Sequence, residues 1–173
     1  MKPFLLAAFL FLLGTDAFAQ QTGKDTTSEK EGIAVAEFGG AASGNLKGGA
    51  KSFGYSIAVE ATPIENWLEV ELGFSPTYSK YTTDKEIDFL IKKPWTLSPK
   101  AEFMFGVGLA WDHMKDSGIT SNTLGGEIAL DFMFWPAAKH RLGWFLEPAY
   151  EYGFSNGHEQ SLGMSAGLLV SIP

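Results

Sequence analysis

From residue 142 to residue 172 the chain alternates large apolar side chains with small or polar ones. Leu142, Trp144, Leu146, Pro148, Tyr150, Tyr152 and Phe154 fall on one parity, and Gly143, Phe145, Glu147, Ala149, Glu151 and Gly153 on the other. A polar run with turn chemistry, residues 155–160, interrupts the pattern. It then resumes, with Leu162, Met164, Ala166, Leu168, Val170 and Ile172 opposite Ser161, Gly163, Ser165, Gly167, Leu169 and Ser171. Period two puts alternate residues on opposite faces of a strand, so this stretch reads as two long paired strands. One face is bulky and apolar; the other is small and polar.

Upstream, the same pattern recurs. Strand-like segments cover residues 32–42, 53–61, 67–78, 86–97, 100–113 and 123–135. The first has the weakest alternation, because Ile33 and Val35 share parity with Glu37. Pro94 predicts a bulge late in the fourth. No segment holds a helical period over the ten or so residues a helix needs. The fold class is therefore all-β, an eight-stranded antiparallel up-and-down meander.

Such a sheet can close with its bulky face inward, around an apolar core, or outward, against lipid. Three features select the outward arrangement. The segments are about ten residues long, as a tilted membrane-crossing strand requires. The connections alternate in kind: those after strands two, four and six contain proline (62–66, 98–99, 136–141). The others (43–51, 78–86, 115–123, 155–160) are polar and proline-free. Finally, Trp67, Trp95, Trp135 and Trp144, four of the five tryptophans, sit beside the proline turns, while Trp111, Tyr150 and Tyr152 sit towards the opposite ends. Indole and phenol rings favour the headgroup level, so these residues predict two aromatic girdles.

The N-terminus reads as a targeting signal. Lys2 precedes an apolar run, residues 4–13, and Ala17-Phe18-Ala19 forms a small-x-small cleavage site. Residues 1–19 are thus predicted to be a signal peptide, 20–31 a disordered periplasmic leader, and 32–173 the barrel domain. Export without a single cysteine leaves the domain to be held by burial and hydrogen bonds, which a closed barrel provides. A net charge of −7 argues against nucleic acid as a partner.

Signal peptide, eight segments, aromatic ends and small alternate residues together resemble the small eight-stranded outer-membrane barrels of Gram-negative bacteria, the porin-like group of the OmpA transmembrane domain, OmpX and OmpW. The resemblance covers residues 32–173. It implies residence in the outer membrane, contact with outer-membrane lipid, and delivery by the outer-membrane insertion machinery. Chains of that group usually end in an aromatic residue; this one ends Ile172-Pro173.

With the bulky face outward, the lumen receives Glu60, Glu69, Glu71, Asp88, Glu102, Glu127, Asp131, Glu147 and Glu151. The cations expected among them are Lys92 and, at the periplasmic end, Arg141 and Lys100. An eight-stranded barrel is just wide enough for its own side chains. The expected outcome is a polar plug and a structural or surface-interaction role, with a narrow cation- or proton-permeable channel, using small ions in the lumen, as the alternative. A soluble periplasmic ligand-binding barrel is the outcome if the faces are reversed.

Some outer-membrane barrels process lipid acyl chains. Residues 155–158, Ser-Asn-Gly-His, loosely resemble the His-x-Ser-Asn motif of the lipid A deacylases. Gly153 stands where that motif has its histidine, so no enzyme is predicted; a lipid A acyl-modifying enzyme using Ser155, His158 and Glu151 or Glu159 is the most distant alternative. His113 and His140 read as strand-end residues. No metal-ligand spacing, phosphate loop or nucleotide fingerprint is present, and no cofactor is expected.

Overall fold

The computed structural model describes residues 34–48, 51–137, 140–155 and 157–172. The segments expected to be a signal peptide (1–19) and a leader (20–31), and Pro173, lie outside the described residues. Eight strands follow one another: β1 (Ala34–Asn45), β2 (Ser52–Ile64), β3 (Leu68–Tyr78), β4 (Thr82–Ser98), β5 (Ala101–Asp116), β6 (Ile119–Phe134), β7 (Leu142–Gly153) and β8 (Gln160–Ile172). Each pairs antiparallel with the next, and β8 pairs with β1 to close the barrel. Closure satisfies both edges, which an open sheet would leave as unpaired backbone groups.

Alternation decides the orientation. Phe53, Leu72 and Leu168 are 63%, 58% and 55% exposed, whereas Glu60, Lys92 and Asp131 are almost wholly buried. The large apolar residues therefore coat the outside and the acids line the axis. The reversed arrangement, a soluble barrel around an apolar chamber, is not what the chain adopts.

Glycines on the inner face give the acids their room. A Cβ on Gly73 would sit 2.4 Å from Asp88 Oδ2, and one on Gly125 would sit 2.5 Å from Glu151 Oε1. Pro148 in β7 and Pro76 in β3 interrupt the hydrogen-bond ladder on one side rather than the strand. Pairing of β6 with β7 lapses between Ala129↔Ala149 and Phe132↔Leu146, around Pro148. Pairing of β2 with β3 lapses between Gly54↔Thr77 and Ile57↔Phe74, around Pro76. Proline has no N–H to give there.

Two local expectations need correction. Pro94 carries no bulge: it pairs with Met104, and the register shift falls between Thr96 and Ser98. The polar connections at 78–86 and 115–123 are much shorter than expected. Strands β3 and β4 are joined by residues 79–81, and β5 and β6 by Ser117-Gly118 alone. The positive φ of both (47° and 90°) suits the two-residue turn that matches strand twist. Here the strands lose apolar alternation but keep pairing, because backbone hydrogen bonds need no greasy face.

Candidate functional site

The lumen divides into three levels. At the end where β1 begins and β8 finishes, it is apolar. Met104, Met133, Trp135, Phe145 and Leu169 form a buried cluster, with Val35 packed against it. Trp135 is thus not a girdle residue. It shares the inward parity of Asp131 and Met133, is 2% exposed, and stacks on His140 at 5.1 Å. Its Nε1 donates to Glu102 Oε2 at 3.4 Å. Gly143 leaves the space, since a Cβ there would lie 2.8 Å from the indole.

The middle level is built around one cation. Lys92 comes from β4, and its Nζ lies 2.9 Å from Glu60, 3.2 Å from Asp131, 2.6 Å from Glu147, and in direct contact with Glu71. These carboxylates arrive from β2, β6, β7 and β3. Gly106 allows the Lys92 stem to cross, its virtual Cβ being 3.0 Å from Lys92 Cγ. An ammonium has three N–H groups. They are donated to Glu71, Asp131 and Glu147. Glu60 pairs by charge alone, and both its oxygens lack a hydrogen-bond partner. Glu37, 2% exposed, joins from β1; it, Glu60, Glu71 and Asp131 bring oxygens within 4.8 Å of one another.

Above this, towards the β5–β6 turn, Asp88 and Glu127 are 6% and 7% exposed, each with one unpartnered oxygen. Glu86, Asp112 and Glu151 then form a second group with oxygens within 4.8 Å. Glu151 Oε2 accepts from Ser161 Oγ at 3.0 Å. A cavity of about 50 Å³ lies here, lined by Glu86, Asp88, Glu127 and Glu147 and by the hydroxyl residues Ser43, Ser75, Thr77 and Ser165.

Of the predicted lumen residues, Lys92, Glu60, Glu71, Asp131 and Glu147 meet directly. Asp88, Glu127 and Glu151 lie above them, and Glu102 lies below, at Trp135. Glu69 is half-buried on the same face of β3. Arg141 is a correction: it is exposed just before β7 begins, and among the described residues its backbone carbonyl accepts from Ser171 N at 3.2 Å. Lys100 is likewise exposed. Glu37, Glu86 and Asp112 were not predicted. Glu37 was hidden because Val35, an apolar residue, shares its inward face; Glu86 and Asp112 lie where strand ends had been expected.

The outer surface carries Trp67, Trp144 and Trp111 at 52%, 50% and 40% exposure. Trp95 stacks on Phe103, with Lys93 Nζ 5.7 Å from its ring. Trp144 stacks on Phe134 at 4.0 Å. Tyr150 and Tyr152 are half-buried on the outward parity of β7. The His158 ring lies against Tyr152 at 5.6 Å, while Glu151 points inward to Ser161.

No family model matches the sequence, and no curated protein matches it significantly. Solved structures do match. Neisserial surface protein A superposes with a TM-score of 0.63 at 16% identity, over 80% of this chain and 96% of that one. The N-terminal β-barrel domain of Pseudomonas aeruginosa OprF gives 0.58 at 13% identity, over 81% and 99%. This chain has the fold of the small outer-membrane β-barrels. The outer-membrane enzyme PagL shares that fold, with a TM-score of 0.51 at 8% identity over 80% and 99% of the two chains. The fold therefore hosts both enzymes and other proteins, and role has to be argued from the residues.

Proposed function

We propose that the protein resides in a bacterial outer membrane as a closed barrel with a structural or surface-interaction role. The observation that carries this reading is the Lys92 network. It ties five strands (β2, β3, β4, β6 and β7) together across the axis and sits directly above the apolar cluster of Trp135 and Phe145. A continuous water path would have to pass both. The exposed apolar coat supports lipid as the surrounding solvent, and the reading includes delivery by the outer-membrane insertion machinery.

Catalysis is not part of the proposal. Ser155 is exposed, the His158 ring is stacked on Tyr152, and Glu151 is engaged by Ser161, so the acid and the ring face different sides of the wall. Planar-bilayer recording tests the closed lumen. The folded protein should give no conductance above leak; reproducible unitary steps would overturn the reading in favour of the narrow channel.

A further inference from the structure

We propose that the outward level of the lumen is a calcium site, with Glu86, Asp112 and Glu151 as ligands. The inference is independent of whether the barrel conducts.

The middle network shows what this interior does with converging carboxylates. It supplies Lys92, an internal cation seated among oxygens from four strands. The outward ring has the same geometry, three carboxylate oxygens within 4.8 Å, without a protein cation. Among the described residues no Lys or Arg pairs with Glu86, Asp112 or Glu151. The nearby Lys85 and Lys115 occupy the outward parity of β4 and β5, opposite to Glu86 and Asp112. Lys47 Nζ donates instead to the carbonyls of Gly157 and His158.

A second observation points to a ligand. Glu127 is 7% exposed, faces Glu151 in the β6–β7 register, and has a buried Oε2 with no partner. Asp88 repeats this from β4, with Oδ1 unpartnered. Glu86 is the ring member that reaches the adjoining cavity of about 50 Å³, and it lines that cavity together with Asp88 and Glu127. That exceeds the roughly 10–15 Å³ one water needs, so the space admits an ion with part of its hydration shell. Buried charge without a counter-charge is costly, and a bound cation supplies it.

The donor set chooses the metal. The three ring carboxylates offer oxygen, as do the carboxylate and hydroxyl side chains of the adjoining cavity; Met164, the sulfur residue along that lining, is exposed on the outward parity of β8. Hard cations take such sites. Ca²⁺ accepts six to eight oxygens at about 2.3–2.6 Å in adaptable geometry, so its ligands spread over about 4.6–5.2 Å; Mg²⁺ demands a tight octahedron and sheds water reluctantly. Ligands drawn from three strands of a wall suit the larger, more tolerant ion.

The test is calorimetric titration of the full folded chain in detergent with calcium chloride, paired with thermal unfolding. One saturable site per chain is expected, and bound Ca²⁺ should raise the unfolding temperature. The double variant Glu86→Gln, Asp112→Asn should bind about tenfold more weakly or worse, since charge count sets affinity at oxygen sites. Glu65→Gln, in the exposed turn at the far end, should bind as the parent does. If the double variant does not fold, Glu127→Gln gives the same comparison. Absence of saturable binding up to about 10 mM, above the range of weak extracellular calcium modules, overturns the proposal. So does unchanged affinity in the ring variants.

Discussion

Lys92 Nζ lies 2.9 Å from Glu60 Oε1, yet gives it no hydrogen bond. The three ammonium protons are already placed on Glu71, Asp131 and Glu147. The network thus holds more acceptors than its one donor can serve, and its members are not equivalent.

That inequality is measurable. Lys92→Met leaves four carboxylates converging without a cation, and removal of one partner from a buried ionic group costs about 3–5 kcal/mol. Glu60→Gln removes a charge that no hydrogen bond supports, so it should be neutral or stabilising. Chemical denaturation of the refolded barrel, followed by gel mobility with and without heating, gives both values. A more damaging Glu60→Gln than Lys92→Met would contradict the assignment.

Two glycines on the inner face of β8 make a matched pair. A Cβ on Gly167 would meet Phe38 O at 2.0 Å, and backbone has little freedom to yield. A Cβ on Gly163 would find its nearest neighbour at 3.9 Å. Gly167→Ala should therefore cost about 1–3 kcal/mol, in the range of overpacked interiors, while Gly163→Ala should be tolerated. Folding yield and denaturation midpoint report the difference.

Much of this was legible in the sequence, and the reason is the strictness of period two. A one-residue slip would move every side chain of a strand to the other face, so alternation in β2, β4, β6, β7 and β8 fixes which side meets lipid. That placed Glu60, Lys92, Asp131 and Glu147 on one face. It did not place them within bonding distance of one another, because they come from strands far apart in sequence and meet only across the closed cylinder. The apolar cluster was missed for a different reason. Phe145 and Leu169 stand on the small, polar parity of their strands, and a rule that sends large residues outward has no place for them. Arg141 shares the inward parity of Gly143 and Phe145, but β7 begins at Leu142, so parity no longer dictates its direction and it is exposed.

Tryptophan placement is separable by experiment. Trp67, Trp111 and Trp144 are on the outer surface, and Trp135 is enclosed. In single-tryptophan versions of the protein reconstituted with brominated lipid, emission from the first three should be quenched. Emission from Trp135 should persist. Equal quenching of all four would place Trp135 in the girdle after all.

The apolar cluster should carry a large share of stability. Phe145 is 2% exposed and packs among Met104, Met133, Trp135 and Leu169. Phe145→Ala should cost about 3–5 kcal/mol, the range for deleting a buried aromatic. Phe105→Ala, half-buried on the lipid-facing parity of β5, should cost less. Parallel denaturation curves rank the two.

Which face meets the bilayer is open to direct measurement, because the chain has no cysteine and single-cysteine spin labels can be introduced cleanly. Labels at Ile128, Ala129, Leu130, Phe132 and Met133 of β6 should report oxygen accessibility with period two. Positions 128, 130 and 132 should be accessible from the hydrocarbon, and 129 and 133 shielded. The opposite phase, or the absence of any bilayer-exposed position, would contradict the barrel as described.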